Sequence, residues 1–153
     1  MYRRTFIFGL LALYATACRA AAWALITKEE FERDIAAHHL NRSIKESLAA
    51  TQPGAPIIEV EKPDESKPIK PPVTIRIHFR PKEGATIDLK SFRVTYGWLA
   101  FDITKRIIEH AHVSASGLLA KNADIPAGHH RVTLQVADSM HRVGIRTFEF
   151  IVL

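Results

Sequence analysis

Hydrophobic positions fall into two regimes along this chain. Val73, Ile75, Ile77 and Phe79 alternate with Thr74, Arg76 and His78. That period of two predicts a strand buried on one face. Phe92, Val94 and Tyr96 repeat the pattern around Arg93 and Thr95, and Val132, Leu134 and Val136 repeat it around Arg131, Thr133 and Gln135. The closing segment, Val143 to Leu153, puts Phe148, Phe150 and Val152 on one face. Ile145 and Ile151 fall out of phase there, which predicts a bulge near Gly144–Thr147. Weaker strand signals lie at Ile57–Val60, at Val113 and at Leu118-Leu119. Trp98 to Ile107 reads as a further strand or a connecting arm. Turns are marked by Pro81-Lys82-Glu83-Gly84 and Pro126-Ala127-Gly128, and a hairpin loop spans Asp138 to Arg142.

The other regime is helical. Residues 25–50 contain no Gly or Pro, and Thr27-Lys28-Glu29-Glu30 has the spacing of a capping box. Phe31 and Ile35 stand four apart; Ala36, Leu40, Ile44 and Leu48 form a second row. A helix over 25–50 follows, with a thin apolar face that packs on the neighbouring domain or on a partner. All eight prolines lie at residue 53 or beyond. Residues 51–72 read as a Pro-rich linker holding one short strand. Residues 73–153 then form the main domain. Six or seven strands without intervening helical crossovers argue for an antiparallel sandwich.

The extreme N-terminus has a third character. Arg3 and Arg4 precede the apolar run Thr5 to Ala17, and small residues Ala20-Ala21-Ala22 follow. Positive start, short apolar core and A-x-A-like end are the parts of an export signal, here residues 1–22. The run is well short of the roughly 20 residues that span a bilayer. The expected location is periplasmic or secreted. Arg3-Arg4-Thr5-Phe6-Ile7 is similar to the twin-arginine export motif, against the alternative of an ordinary secretory signal. Ala15-Thr16-Ala17-Cys18 is similar to a bacterial lipoprotein processing site, with Ala15 where that pattern prefers Leu. Processing there makes Cys18 a lipidation site and its acyl chain the one membrane attachment. Cleavage after Ala22 or Ala24 removes the cysteine, the only one in the chain.

Charge adds little once the signal is set aside. The formal +5 includes Arg3, Arg4 and Arg19, which leave 18 basic against 16 acidic residues, or +2. Nucleic acid is not an expected partner.

Pro126-Ala127-Gly128, the alternating strand through Asp138, Arg142, and Phe148-Glu149-Phe150-Ile151-Val152 resemble the last two strands of bacterial immunoglobulin-like modules of exported proteins. The resemblance covers residues 55–153 and implies a fold: an immunoglobulin-like antiparallel β-sandwich preceded by an N-terminal helix. His141 stands near a position more usually Gly or Asn. Such modules serve as spacers, adhesion units, carbohydrate-binding accessories and enzyme appendages, so no single activity is implied.

Candidate chemistry is sparse. There is no Gly-x-Ser-x-Gly elbow, no His-Glu-x-x-His pair and no phosphate-cradling Gly-rich loop. A non-enzymatic binding or assembly module, contacting another envelope protein and needing no cofactor, is the leading expectation. Tyr96, Trp98 and Phe101 are the candidate binding surface, with burial of Trp98 and Phe101 in the core as the counter-reading. One alternative is a periplasmic metal-binding protein using His110, His112, His129 and His141, with His130 as a further candidate; surface histidines without a metal are the simpler reading. The other is a carbohydrate-binding accessory module in which Tyr96 and Trp98 share a face and stack on sugar. Arg76, Arg93, Arg131 and Arg146 are read as outward, a mild basic face.

Overall fold

The computed structural model describes residues 22–40 and 51–153, apart from the side chains of His39 and Leu40. Residues 1–21 of the export signal, Cys18 among them, and the expected helix beyond Leu40 lie outside the described residues. Among the described residues the fold is mainly β, with two sheets and two helices. One sheet is ordered β2 (Ile57–Lys62), β3 (Val73–Arg80), β7 (Gly117–Asp124). The far edge of β7 is shared: β6 (His112–Ser114) pairs antiparallel with Gly117–Leu119, and β1 (Trp23–Ala24) pairs parallel with Ala123–Asp124. The second sheet is ordered β5 (Phe101–Asp102), β4 (Ile87–Tyr96), β8 (Gly128–Asp138), β9 (Val143–Val152). Ile75, Ile77 and Phe79 from one sheet meet Phe92, Val94, Tyr96, Leu134, Phe148 and Phe150 from the other in a common core. These are the inward phases of the alternating patterns, so the period-two signal and the burial agree.

Helix α1 (Lys28–Leu40) starts where the capping box places it. Glu30 N–H donates to the Thr27 hydroxyl at 3.2 Å, and Thr27 N–H donates to the Glu30 carboxylate at 3.0 Å. The residues before it are not helical. Leu25 and Ile26 are buried in the sandwich core, and β1 is a strand of the sheet. The N-terminal segment is thus part of the sandwich's own packing.

Three expectations are corrected. Residues 51–72 hold the expected short strand, β2, but the segment is tied into the sandwich rather than linking to it. Five residues of β2 are in register with β3, and Ile69 exchanges hydrogen bonds with the outer edge of β9, donating to Ile151 O and accepting from Leu153 N. An unpaired strand edge leaves backbone groups without partners, and Ile69 supplies them. The stretch from Trp98 to Ile107 is a turn, the short β5 and then helix α2 (Thr104–His110). The Asp102 carboxylate accepts Thr104 N–H at 2.9 Å, and Ile103 and Ile107, four apart, are both buried. The Asx turn at Asp102 and an i, i+4 pair override the β-branched Thr104, Ile107 and Ile108. This helix carries the chain from one sheet to the other, the crossover that the sequence did not signal. Lastly, β8 and β9 pair without interruption from Gly128↔Val152 to Ala137↔Val143, so no bulge interrupts Gly144–Thr147. The mixed phase has another cause. Gly144 receives the Pro56 backbone, and Arg146, opposite buried Leu134, turns out from the inward phase to Glu65. Register shifts occur instead within β2, β3 and β4.

The hairpin from Asp138 to Arg142 holds as the sequence suggested. The Asp138 carboxylate accepts the N–H groups of Met140 and Arg142 and the Arg142 Nε–H. Burial pushes this carboxyl up, but the Arg142 guanidinium and those N–H donors outweigh it and hold it below the usual range. His141, where Gly or Asn is more usual, sits at φ +59.

Candidate functional site

The site grows from the way α1 lies across one end of the sandwich. Phe31, Asp34 and His38 share one face of the helix by their i, i+3 and i+7 spacing. Phe31 rests against the His130 ring, with centroids 5.0 Å apart. Asp34 covers the turn that follows β4, where its carboxylate accepts Leu99 N–H at 3.0 Å. Gly97 opens that turn at φ +71, and its N–H donates to Arg131 O. The turn lifts Trp98 onto the outer face of the second sheet. His38 stacks on the indole at 4.7 Å and 19°, and the Arg131 guanidinium carbon lies 4.2 Å from the indole centroid. Arg131 and His129 both reach Glu149 on β9, at 3.6 and 3.4 Å. The result is a cleft of about 260 Å³ lined by Asp34, Ile35, His38, Trp98, His129 and Glu149.

Three large apolar side chains remain exposed around it: Ile35 at 39 %, Trp98 at 41 % and Leu99 at 48 %. The indole ring is engaged by an imidazole and a guanidinium while remaining partly open to solvent. Tyr96 is 1 % exposed and points into the core, where it cannot share a platform with Trp98. Phe101 is half-buried, paired with Tyr96 across β4 and β5 and packed against the core. Of the three aromatic candidates only Trp98 belongs to an exposed surface, and the reading that buried it is reversed for this ring. Asp34, His38, Leu99 and Glu149 were not singled out by sequence, and Ile35 was read only as part of the thin apolar face of the helix. The helix-face spacing of Phe31, Asp34 and His38 was the available signal.

The histidines are dispersed. His110 ends α2 and stacks on Trp23 at 4.7 Å, whereas His112 begins β6, so the two do not share a strand face. His129 is held by Glu149, and His141 lies in the β8–β9 turn. Among the described residues no three His, Cys, Asp or Glu side chains gather as metal ligands would. The arginines do not form a bare basic face: Arg76 pairs with Glu61, Arg93 with Asp102, Arg131 with Glu149 and Arg146 with Glu65.

Beneath the cleft lies a buried polar pair. His130 is 1 % exposed, inward where its neighbour His129 is outward, and so is not a surface histidine. Its Nε2 is 2.7 Å from Pro126 O, and a carbonyl only accepts, so Nε2 carries the proton. Nδ1 then accepts the Tyr96 hydroxyl at 3.0 Å. Burial lowers the imidazole's pKa, against the Pro126 carbonyl and Asp34, which raise it. Burial, then the charges of Asp34 and Glu30, push the Tyr96 hydroxyl up. Both groups are neutral near pH 7, and both imidazole nitrogens are committed to internal partners. The start of α1 is tied down by a bidentate pair, Arg106 to Glu30 at 2.8 and 2.9 Å. Arg106 holds the Glu30 carboxyl below its usual value despite some opposing burial.

Comparison with protein-family models, with curated proteins and with solved structures finds no match.

Proposed function

We propose that this protein is an exported, non-enzymatic binding or assembly module of the bacterial cell envelope, periplasmic or secreted, that docks another envelope protein at the Trp98 patch. The observation that carries this reading is the joint exposure of Ile35, Trp98 and Leu99 beside a cleft rimmed by His38, His129 and Glu149. A small apolar centre with a polar, charged rim is the anatomy of a protein–protein contact, in which aromatic anchors carry most of the energy. We also assign the sandwich to the immunoglobulin-like class. The order β2-β3-β7 facing β5-β4-β8-β9 supports it, because it follows the A-B-E and C-F-G sheets of that class with one added edge strand. The export signal read in residues 1–22 supports the envelope location.

A photo-crosslinking side chain placed at Leu99, in cells, tests the contact. The same group at Lys82, in the turn at the other end of β4, is the control. The expected result is one envelope protein captured from position 99, absent from position 82, and lost in a Trp98→Ala background. Equal capture from both positions, or none from 99, sinks the reading. Trp98→Ala is expected to cost about 1 kcal/mol of stability, since the ring is partly exposed. Urea unfolding checks that the variant stays folded.

A further inference from the structure

The small residues after the apolar run leave two cleavage points, after Ala22 or after Ala24, beside the lipoprotein alternative at Cys18. The fold treats the first two very differently. We infer that the leader is removed by hydrolysis of the Ala22–Trp23 peptide bond, so that Trp23 is the first residue of the folded domain. In that step water adds its oxygen to the Ala22 carbonyl carbon, and Trp23 leaves with a free α-ammonium. This rests on residues 1–22 being an export signal.

Among the described residues Trp23 is the first that the sandwich holds. Ala22 is exposed and outside any strand, whereas Trp23 and Ala24 pair with Ala123 and Asp124 as β1. The indole Nε1–H donates to Lys121 O at 2.9 Å, and the ring stacks on His110. A cut after Ala24 deletes all of these contacts. It also makes Leu25 the new terminus, and Leu25 is 1 % exposed with its N–H donating to Asp124 O at 3.0 Å. A charged ammonium would be buried there, close to Arg106, whose Nη1 is 2.7 Å from Leu25 O. Burying a charge in place of a neutral, hydrogen-bonded amide is unfavourable, and the Glu30 carboxylate nearby is already committed to Arg106. A cut after Ala22 leaves every one of these contacts intact. It also places Ala20 and Ala22 at the two small-residue positions that a signal peptidase requires.

The test is the intact mass and N-terminal sequence of the protein recovered from the envelope after expression of the full chain with its own leader. The expected start is Trp23-Ala24-Leu25-Ile26. Ala22→Phe, which puts a bulky ring where a small residue is required, is expected to abolish that product and accumulate the precursor. A wild-type start at Leu25, or at an acylated Cys18, overturns the inference and leaves export standing. Uncut chain overturns both.

Discussion

Gly97→Ala is expected to destabilise the protein by about 3 kcal/mol and to release α1 from the end of the sandwich. Two effects combine. The position sits at φ +71, where an L side chain costs about 1–2 kcal/mol. In addition, a methyl group at Gly97 would fall well inside contact distance of the Asp34 carboxylate. Asp34 is 7 % exposed, and Leu99 N–H donates to its carboxylate. Displacing it leaves that N–H without its acceptor and pushes the helix off the turn. Amide hydrogen exchange should then rise over residues 28–40 well before it rises in β3 or β8. In the double variant with Asp34→Ala, the two penalties should fall short of additive, because the second change removes the group the methyl would strike. Full additivity, or unchanged exchange in α1, refutes the coupling. Because the Trp98 patch includes Ile35 of the same helix, Gly97→Ala is also expected to abolish crosslinking from position 99.

Most of the sandwich was legible because its strands are buried on one face only. The alternation at Val73–Phe79, Phe92–Tyr96 and Val132–Val136 maps directly onto inward and outward positions. Two of the failures share a physical cause: they depend on residues distant in sequence. Nothing near Ile69 announces that it closes the edge of β9. Nothing in Trp23-Ala24 announces a parallel partner about 100 residues away. Short elements were also lost. Helix α2 has seven residues, too few to show a period, and its composition is β-branched. At the site, Trp98 was singled out for the right residue type, yet its surroundings come from α1, β8 and β9 together. Tyr96 failed for a local reason, since Gly97 turns the chain and ends the alternation that would have put the two rings on one face.

The dependence of α1 on the sandwich limits how the segment can be probed. Leu25 and Ile26 are core residues, so deleting residues 25–50 removes part of the hydrophobic interior along with any binding surface. Loss of a partner on that deletion would not separate binding from folding. Exposed Leu99 and half-exposed Trp98 do allow that separation, which is why the docking test is placed on them.

His130→Ala is expected to cost about 3 kcal/mol, through a cavity among Phe31, Tyr96 and Phe150 and the loss of both imidazole hydrogen bonds. The wild-type imidazole should also set a pH dependence. Its pKa lies below the ordinary 6.5 because burial disfavours the cation. The groups facing it are Tyr96 from β4 and Asp34 from α1, with His129 beside it on β8. Between 6.5 and the lowered folded value, the unfolded chain binds a proton that the folded chain does not. Stability contributed by the neutral imidazole is therefore complete above pH 6.5 and declines as the pH falls through that window. Glu30, Asp102 and Asp138, whose carboxyls are held below their usual values, lose their contributions only in more acidic solution. Urea unfolding at pH 7.5 and pH 5.5 separates the two ranges. The wild-type protein should be less stable at the lower pH, and His130→Phe, which fills the space without a titrating group, should lose most of that difference. An equal drop in both proteins would place the acid sensitivity elsewhere. Since Phe31 packs on this ring, wild-type α1 should loosen over the same pH range, with crosslinking from position 99 weakening alongside it.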